Sequence, residues 1–232
     1  MSIADNIARV RERLATAAHR AGRSPADITL MGVSKTFPPE KIREAYAAGL
    51  RVFGENRVQE FVDKAGTLRD LPGTDWHLIG HLQTNKATKA ADLFNAVDSV
   101  DSVRLSEKLN AAAQALGKTL PILIEINVGG EEAKSGVAPG SEELEKILAV
   151  ARDWKHLHVR GLMTVPPYTE DPEEARPFFR HLRKMRDQIA ACGLPAISMD
   201  TLSMGMSHDF EVAIEEGSTC VRVGTAIFGE RT

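Results

Sequence analysis

Cysteine, tyrosine and long apolar runs are all scarce in this chain. Its 232 residues include two cysteines, Cys192 and Cys220, too few for a disulfide framework or a zinc-ligand spacing. Both read as buried thiols, and a reducing, cytoplasmic setting follows as the default. No apolar run is long enough to span a bilayer and no N-terminal apolar signal region is present, so no membrane association is expected. An excess of one charge is also missing. The 29 Lys and Arg against 32 Asp and Glu leave a net charge of −3, without the basic footprint that nucleic acid calls for. No linker, low-complexity tract or readable repeat divides the chain, which predicts a single domain over residues 1–232.

What is present is alternation. Ser2 reads as an N-cap, and Ile3, Ile7, Val10 and Leu14 recur at helical spacing, predicting an opening helix within residues 1–24 that packs on the rest. Strands are then predicted at 28–33, 51–53, 76–79, 94–97, 121–128, 157–163, 197–202 and 219–223. Helices are predicted between most of them, at 40–48, 58–65, 102–116, 172–191 and 209–216. A further helix starts at Ser141 with a capping box and with Leu144 and Ile147 behind it. About eight strand–helix units predict a parallel sheet closed into a (β/α)8 TIM-type barrel with an extra N-terminal helix. An open doubly wound sheet is the alternative, but no Gly-x-Gly-x-x-Gly follows the first strand.

The first strand ends in Leu30-Met-Gly-Val-Ser-Lys-Thr36, which places Lys35 at a strand-to-helix loop, a usual position for a functional group. The plain alternative is a lysine that snorkels from the rim into water. In such barrels a phosphate site commonly lies in the loops after strands 7 and 8. Here these are Ser203-Met-Gly-Met-Ser207 and Gly224-Thr-Ala-Ile-Phe-Gly229, with free N–H groups and the hydroxyls of Ser207 and Thr225 as donors. Ordinary strand-to-helix turns remain the alternative for either loop. Barrel closure sets strand 8 beside strand 1, so Lys35 would share a mouth with both loops. There it could hold a phosphate as a point charge or form an imine with a phosphorylated aldehyde. Pyridoxal 5'-phosphate is the cofactor that uses both anchors. Arg222, projecting near its ring, would disfavour a proton on the pyridine nitrogen by like-charge repulsion. A surface ion pair with a glutamate is the plainer role for Arg222. His77 and His81 could be a metal pair but lack an obvious third ligand, and His156 and His158 read as rim residues. Met163, Met199, Met204 and Met206 read as core filler. Lys86 and Lys134 could hold a second anion or shuttle cofactor, or simply be solvated.

Ordered motifs from about Ile28 onward resemble the pyridoxal phosphate homeostasis protein family, relatives of the barrel domain of alanine racemase. They are Val33-Ser-Lys-Thr36, Phe53-Gly-Glu-Asn56, His77-Leu-Ile-Gly-His-Leu-Gln-Thr-Asn-Lys86, Lys134-Ser-Gly136, Gly161-Leu-Met163, Ser203–Ser207 and Val221–Gly229. The resemblance implies that Lys35 is the imine lysine and that the phosphate rests on Ser207, Gly224 and Thr225. It also implies Arg222 at the pyridine nitrogen, with Asn56 and Met204 near the cofactor. The expected activity is intracellular pyridoxal phosphate homeostasis, as a carrier or regulator without robust catalysis. The expected partners are the cofactor and pyridoxal-phosphate-dependent apo-enzymes, and the expected state is a monomer. One alternative is an amino-acid racemase, which needs acid/base groups on both faces of the substrate α-carbon. With Thr232 soon after the eighth strand, no second domain is expected to supply one, and the tyrosines of this sequence are Tyr46 and Tyr168. An imine-forming aldolase-type barrel without cofactor is the second alternative.

Overall fold

The computed structural model describes residues 2–131 and 134–230. Met1, Arg231 and Thr232, the ends of the expected 1–232 domain, lie outside the described residues, as do Glu132 and Ala133 of the loop after the fifth strand. The order is α1 (Ile3–Arg20), β1 (Thr29–Val33), α2 (Pro39–Ala47), β2 (Val52–Glu55), α3 (Val58–Ala65), β3 (Asp75–Leu78), α4 (Ala87–Leu93) and β4 (Ala96–Val100). It continues with α5 (Val103–Ala115), β5 (Leu120–Glu125), α6 (Glu142–Ala151), β6 (Leu157–Met163), α7 (Arg176–Ala191), β7 (Ile197–Ser203), α8 (Phe210–Glu215), β8 (Cys220–Val223) and α9 (Thr225–Phe228). The eight strands close in sequence order as a parallel barrel, as the alternation predicts. β1 seals it against β8 with Thr29 opposite Cys220 and Met31 opposite Arg222.

Period-two alternation sorts each strand into two sides. Leu120, Ile122 and Ile124 of β5, like Val221 and Val223 of β8, join the apolar cluster shared with the helices. The residues between them, Leu123 and Glu125 on β5 and Cys220 and Arg222 on β8, turn into the barrel. α1 begins with a full capping box, Ser2 N to Asp5 Oδ2 at 3.0 Å and Asp5 N to Ser2 Oγ at 3.1 Å. It buries the stripe Ile3, Ile7, Val10, Leu14, Ala17 and Ala18 and packs on α8, α9 and α2. Asn6 Nδ2 donates to Ile227 O at 2.9 Å, which ties this helix to the short one opening the last loop.

Several boundaries differ from expectation, each for a local reason. β4 runs to Val100 because the polar Asp98 and Ser99 are buried and paired within the fold, Asp98 with His77 Nδ1 at 3.0 Å and Ser99 Oγ to Gly80 O at 2.7 Å. β2 runs through Gly54 and Glu55, while β5 stops at Glu125. Ser141 caps its helix by accepting from Leu144 N at 3.4 Å. A leucine at that third position cannot return the bond, so the expected capping box is only half formed. Cys220 is buried, whereas Cys192 is exposed at the end of α7, correcting the expectation of two buried thiols. Among the described residues no helix is long and apolar enough to cross a membrane.

Candidate functional site

The first wall of the site is the end of β1. Lys35 follows the strand in a half-buried turn, and Thr36 beside it adopts φ 66°, a strained conformation for a β-branched residue. A buried network that sequence reasoning missed holds this turn. Lys64 of α3, 8% exposed, donates from Nζ to Ser34 O at 3.0 Å and Phe37 O at 3.4 Å. It also pairs with Glu55 Oε1 at 2.8 Å, and Ser34 Oγ donates to the same oxygen at 2.6 Å. Burial pushes the Glu55 carboxyl up and the Lys64 ammonium pulls it back. A lysine on an amphipathic helix gives no outward signal of this role. The polar Glu55 ending a strand was the available clue.

The second wall is β8 and the loop after β7. That loop continues the ladder: Met204 N donates to Cys220 O at 3.1 Å and Arg222 N to Gly205 O at 2.9 Å. Gly205 has φ 93°, and a Cβ there would lie 2.5 Å from Ala213 Cβ, so only glycine lets the loop pass α8. Ser207 Oγ then accepts from Gly224 N at 3.2 Å and Ala226 N at 3.3 Å. Two backbone donors already converge on one oxygen, which is the geometry an oxyanion requires. Thr225 stands exposed between them. Gly224 lies against Val33, two residues before Lys35: a Cβ on it would sit 3.5 Å from Val33 Cβ and Val33 O.

Arg222 is 3% exposed and donates from Nη1 to Ser203 Oγ at 2.6 Å and from Nη2 to Thr164 O at 2.7 Å. A surface ion pair is therefore excluded for it. Asn56 continues β2 at the level of Lys35, since Val33 pairs with Gly54. Its backbone is so close to Gly80 that a Cβ on Gly80 would lie 2.3 Å from Asn56 O. Met204 is fully buried and packs with the main apolar cluster. Lys134 Nζ pairs with the Glu131 carboxylate and donates to Pro166 O at 3.2 Å, and Lys86 is exposed on the rim. His77 and His81 do not converge. His77 Nδ1 bonds Asp98 at 3.0 Å, and His81 Nδ1 faces Asp101 at 3.4 Å.

Such a barrel, with an amine and an oxyanion cradle at one mouth, defines a class that can anchor a phosphorylated carbonyl compound at two points. The alanine racemase N-terminal domain family matches residues 2–232. The pyridoxal phosphate homeostasis protein of Aquifex aeolicus (strain VF5) is 47% identical over 231 residues, covering 100% of this chain and 99% of that one. The protein of the same name from Escherichia coli (strain K12) is 44% identical, covering 99% and 97%. The structure of PipY from Synechococcus elongatus PCC7942 with PLP bound superposes at a TM-score of 0.85 with 37% identity, covering 98% of this chain and all of that one. This chain belongs to the pyridoxal phosphate homeostasis protein family, as its motifs predict.

Proposed function

We propose that this protein holds pyridoxal 5'-phosphate at the mouth of a single-domain barrel, with Lys35 as the covalent anchor, and serves in homeostasis of the cofactor. The observation that carries the reading is the meeting of two elements. The turn bearing Lys35 adjoins Gly224, whose N–H shares the Ser207 oxygen with Ala226 N–H. The residues fit the cofactor chemically: a primary amine for its aldehyde, and two N–H groups with the Ser207 and Thr225 hydroxyls for its phosphate. The cofactor supplies a ring that can withdraw electrons from an attached amine. With the ring nitrogen beside it, the buried Arg222 cation would oppose a proton there and so weaken that withdrawal. The tyrosine near this mouth, Tyr168, is 78% exposed and poorly placed as a fixed acid. Both features support a carrier or regulator rather than a racemase. Asn56 and the Met204 backbone complete the surround, and the reading extends to a cytoplasmic monomer that passes cofactor to dependent apo-enzymes.

Borohydride reduction of the loaded protein followed by peptide mass spectrometry tests this. The pyridoxyl adduct is expected on the peptide containing Lys35. Recovery of the adduct on Lys86 or Lys134 instead would overturn the assignment.

A further inference from the structure

Inside the same mouth one charged group has no part in anchoring a phosphorylated aldehyde. Glu125 ends β5 on the inward side of the strand. It is 8% exposed, and its Oε2 is buried with no hydrogen-bond partner among the described residues. Its backbone carbonyl is taken by Val137 N at 2.9 Å. Gly136 closes over its side chain: a Cβ there would lie 3.2 Å from Glu125 Cγ. The carboxyl is thus enclosed on the loop side. The charges acting on it are Asp101, just past β4, and Arg222. Burial first, and then Asp101, push it up to about 7 against the pull of Arg222. At neutral pH it is balanced between its two forms, and an arriving cation would settle it as the carboxylate.

The mouth therefore has two unlike halves. Lys35, Arg222 and the Gly224 and Ala226 N–H groups make the β8–β1 side cationic and donor-rich. Asp101 and Glu125 make the β4–β5 side acidic. A buried polar atom left unpaired costs roughly 1–3 kcal/mol, more when charged. A carboxyl retained in that condition, at a mouth that binds ligand, matches a donor that arrives with the ligand. An ammonium supplies both the hydrogen bond and the compensating charge. With the cofactor on the facing wall, the acidic half is what the mouth still offers a second ligand, and an ammonium is the group that matches it.

We propose that Glu125 is the ammonium-binding residue of a second ligand subsite in the mouth, one that takes the amino group of an amino-acid-class ligand beside the phosphate half. The proposal rests on the Lys35 and phosphate reading above, and its test separates the two. In borohydride-reduced holoprotein Lys35 is locked and cannot exchange with a free amine, and the adduct mass on Lys35 checks the underlying reading by itself. L-alanine and propionate, which differ in the ammonium, are then titrated into this protein by calorimetry. Wild type is expected to bind L-alanine at least about tenfold more tightly than propionate, the preference a hydrogen bond to a charged group supports. Glu125→Gln is expected to lose that preference while melting no lower than wild type. Equal binding of the two ligands by wild type would overturn the proposal without any variant, and so would a preference that survives in Glu125→Gln.

Discussion

At the N-terminal end of the strands lies a cavity of about 390 Å³, lined by strand-opening residues such as Thr29, Asp75, Ala96 and Cys220. Its charges are matched within the fold. His77 sits between Asp98 at 3.0 Å and Asp75 at 3.4 Å. Burial alone would lower its pKa, but the two carboxylates push it up to about 10. The orphans toward this end are Arg160 Nε, whose side chain is 43% exposed with Asp200 3.6 Å away, and the neutral Ser198 hydroxyl. At the C-terminal mouth the orphans are carboxylate oxygens, Glu55 Oε2 and Glu125 Oε2, beside a strained turn at Thr36. One end spends its charges on its own stability, whereas the other keeps two carboxylate oxygens without a hydrogen-bond partner among the described residues. Ala196 and Met199 also take positive φ toward the N-terminal end, so it is the two buried carboxylates with an unpartnered oxygen that set the mouth apart, at the end where such barrels carry function.

Four tests by substitution sharpen the contrast, in falling order of effect. Lys35→Ala should abolish the visible absorbance of the covalently held cofactor at any pyridoxal phosphate concentration. A persisting band would move the anchor elsewhere. Lys64→Met strands Glu55 as an uncompensated buried charge and should lower unfolding free energy by about 3–5 kcal/mol in urea titrations. A loss below about 1 kcal/mol, the range of an exposed pair, would show that the pair does not hold the Lys35 turn. Ser207→Ala and Thr225→Ala should each weaken pyridoxal phosphate by about 1.5–3 kcal/mol, as for hydrogen bonds to a charged group. Binding of pyridoxal, which lacks the phosphate, should change little, and equal losses for both aldehydes would place the phosphate elsewhere.

The fourth concerns the opposite end and is the smallest. The folded pKa of His77, about 10, lies above its ordinary 6.5, so the folded state holds the proton more tightly than the unfolded one. Its stabilisation is complete below about 6.5 and is lost as the pH rises through about 10. The stability difference between wild type and His77→Gln should therefore narrow as pH rises from neutrality through that range, with cofactor binding unchanged. A difference that stays flat would mean that the Asp75–His77–Asp98 cluster carries no net charge coupling.

The sequence made the strands legible where buried apolar residues recur at strand spacing, as in β6, where Leu157 and Val159 alternate with His158 and Arg160 and whose bounds match expectation at 157–163. It misled where a polar side chain turns inward. Asp98 and Ser99 look like a strand's end, yet they continue β4 because His77 and Gly80 O, brought alongside by the fold, pair with them. Glycine loops and a strand-end lysine pointed to the mouth, because loop chemistry leaves a local signature. The Lys64–Glu55 pair joins a helix to a strand through tertiary packing, so no spacing rule reveals it. Glu125 had a signal, a single acid inside Ile-Leu-Ile-Glu-Ile. Its meaning needed the closed barrel, which shows that the side chain faces Arg222 and Asp101 rather than water.

A crystal structure of the protein grown with pyridoxal phosphate tests the division of labour between the two ends most directly. The account predicts density continuous with Lys35 Nζ, phosphate against Ser207, Gly224 and Thr225, and Arg222 beside the ring nitrogen. Cofactor in the cavity by His77, or joined to Lys86 or Lys134 with the mouth vacant, would contradict it.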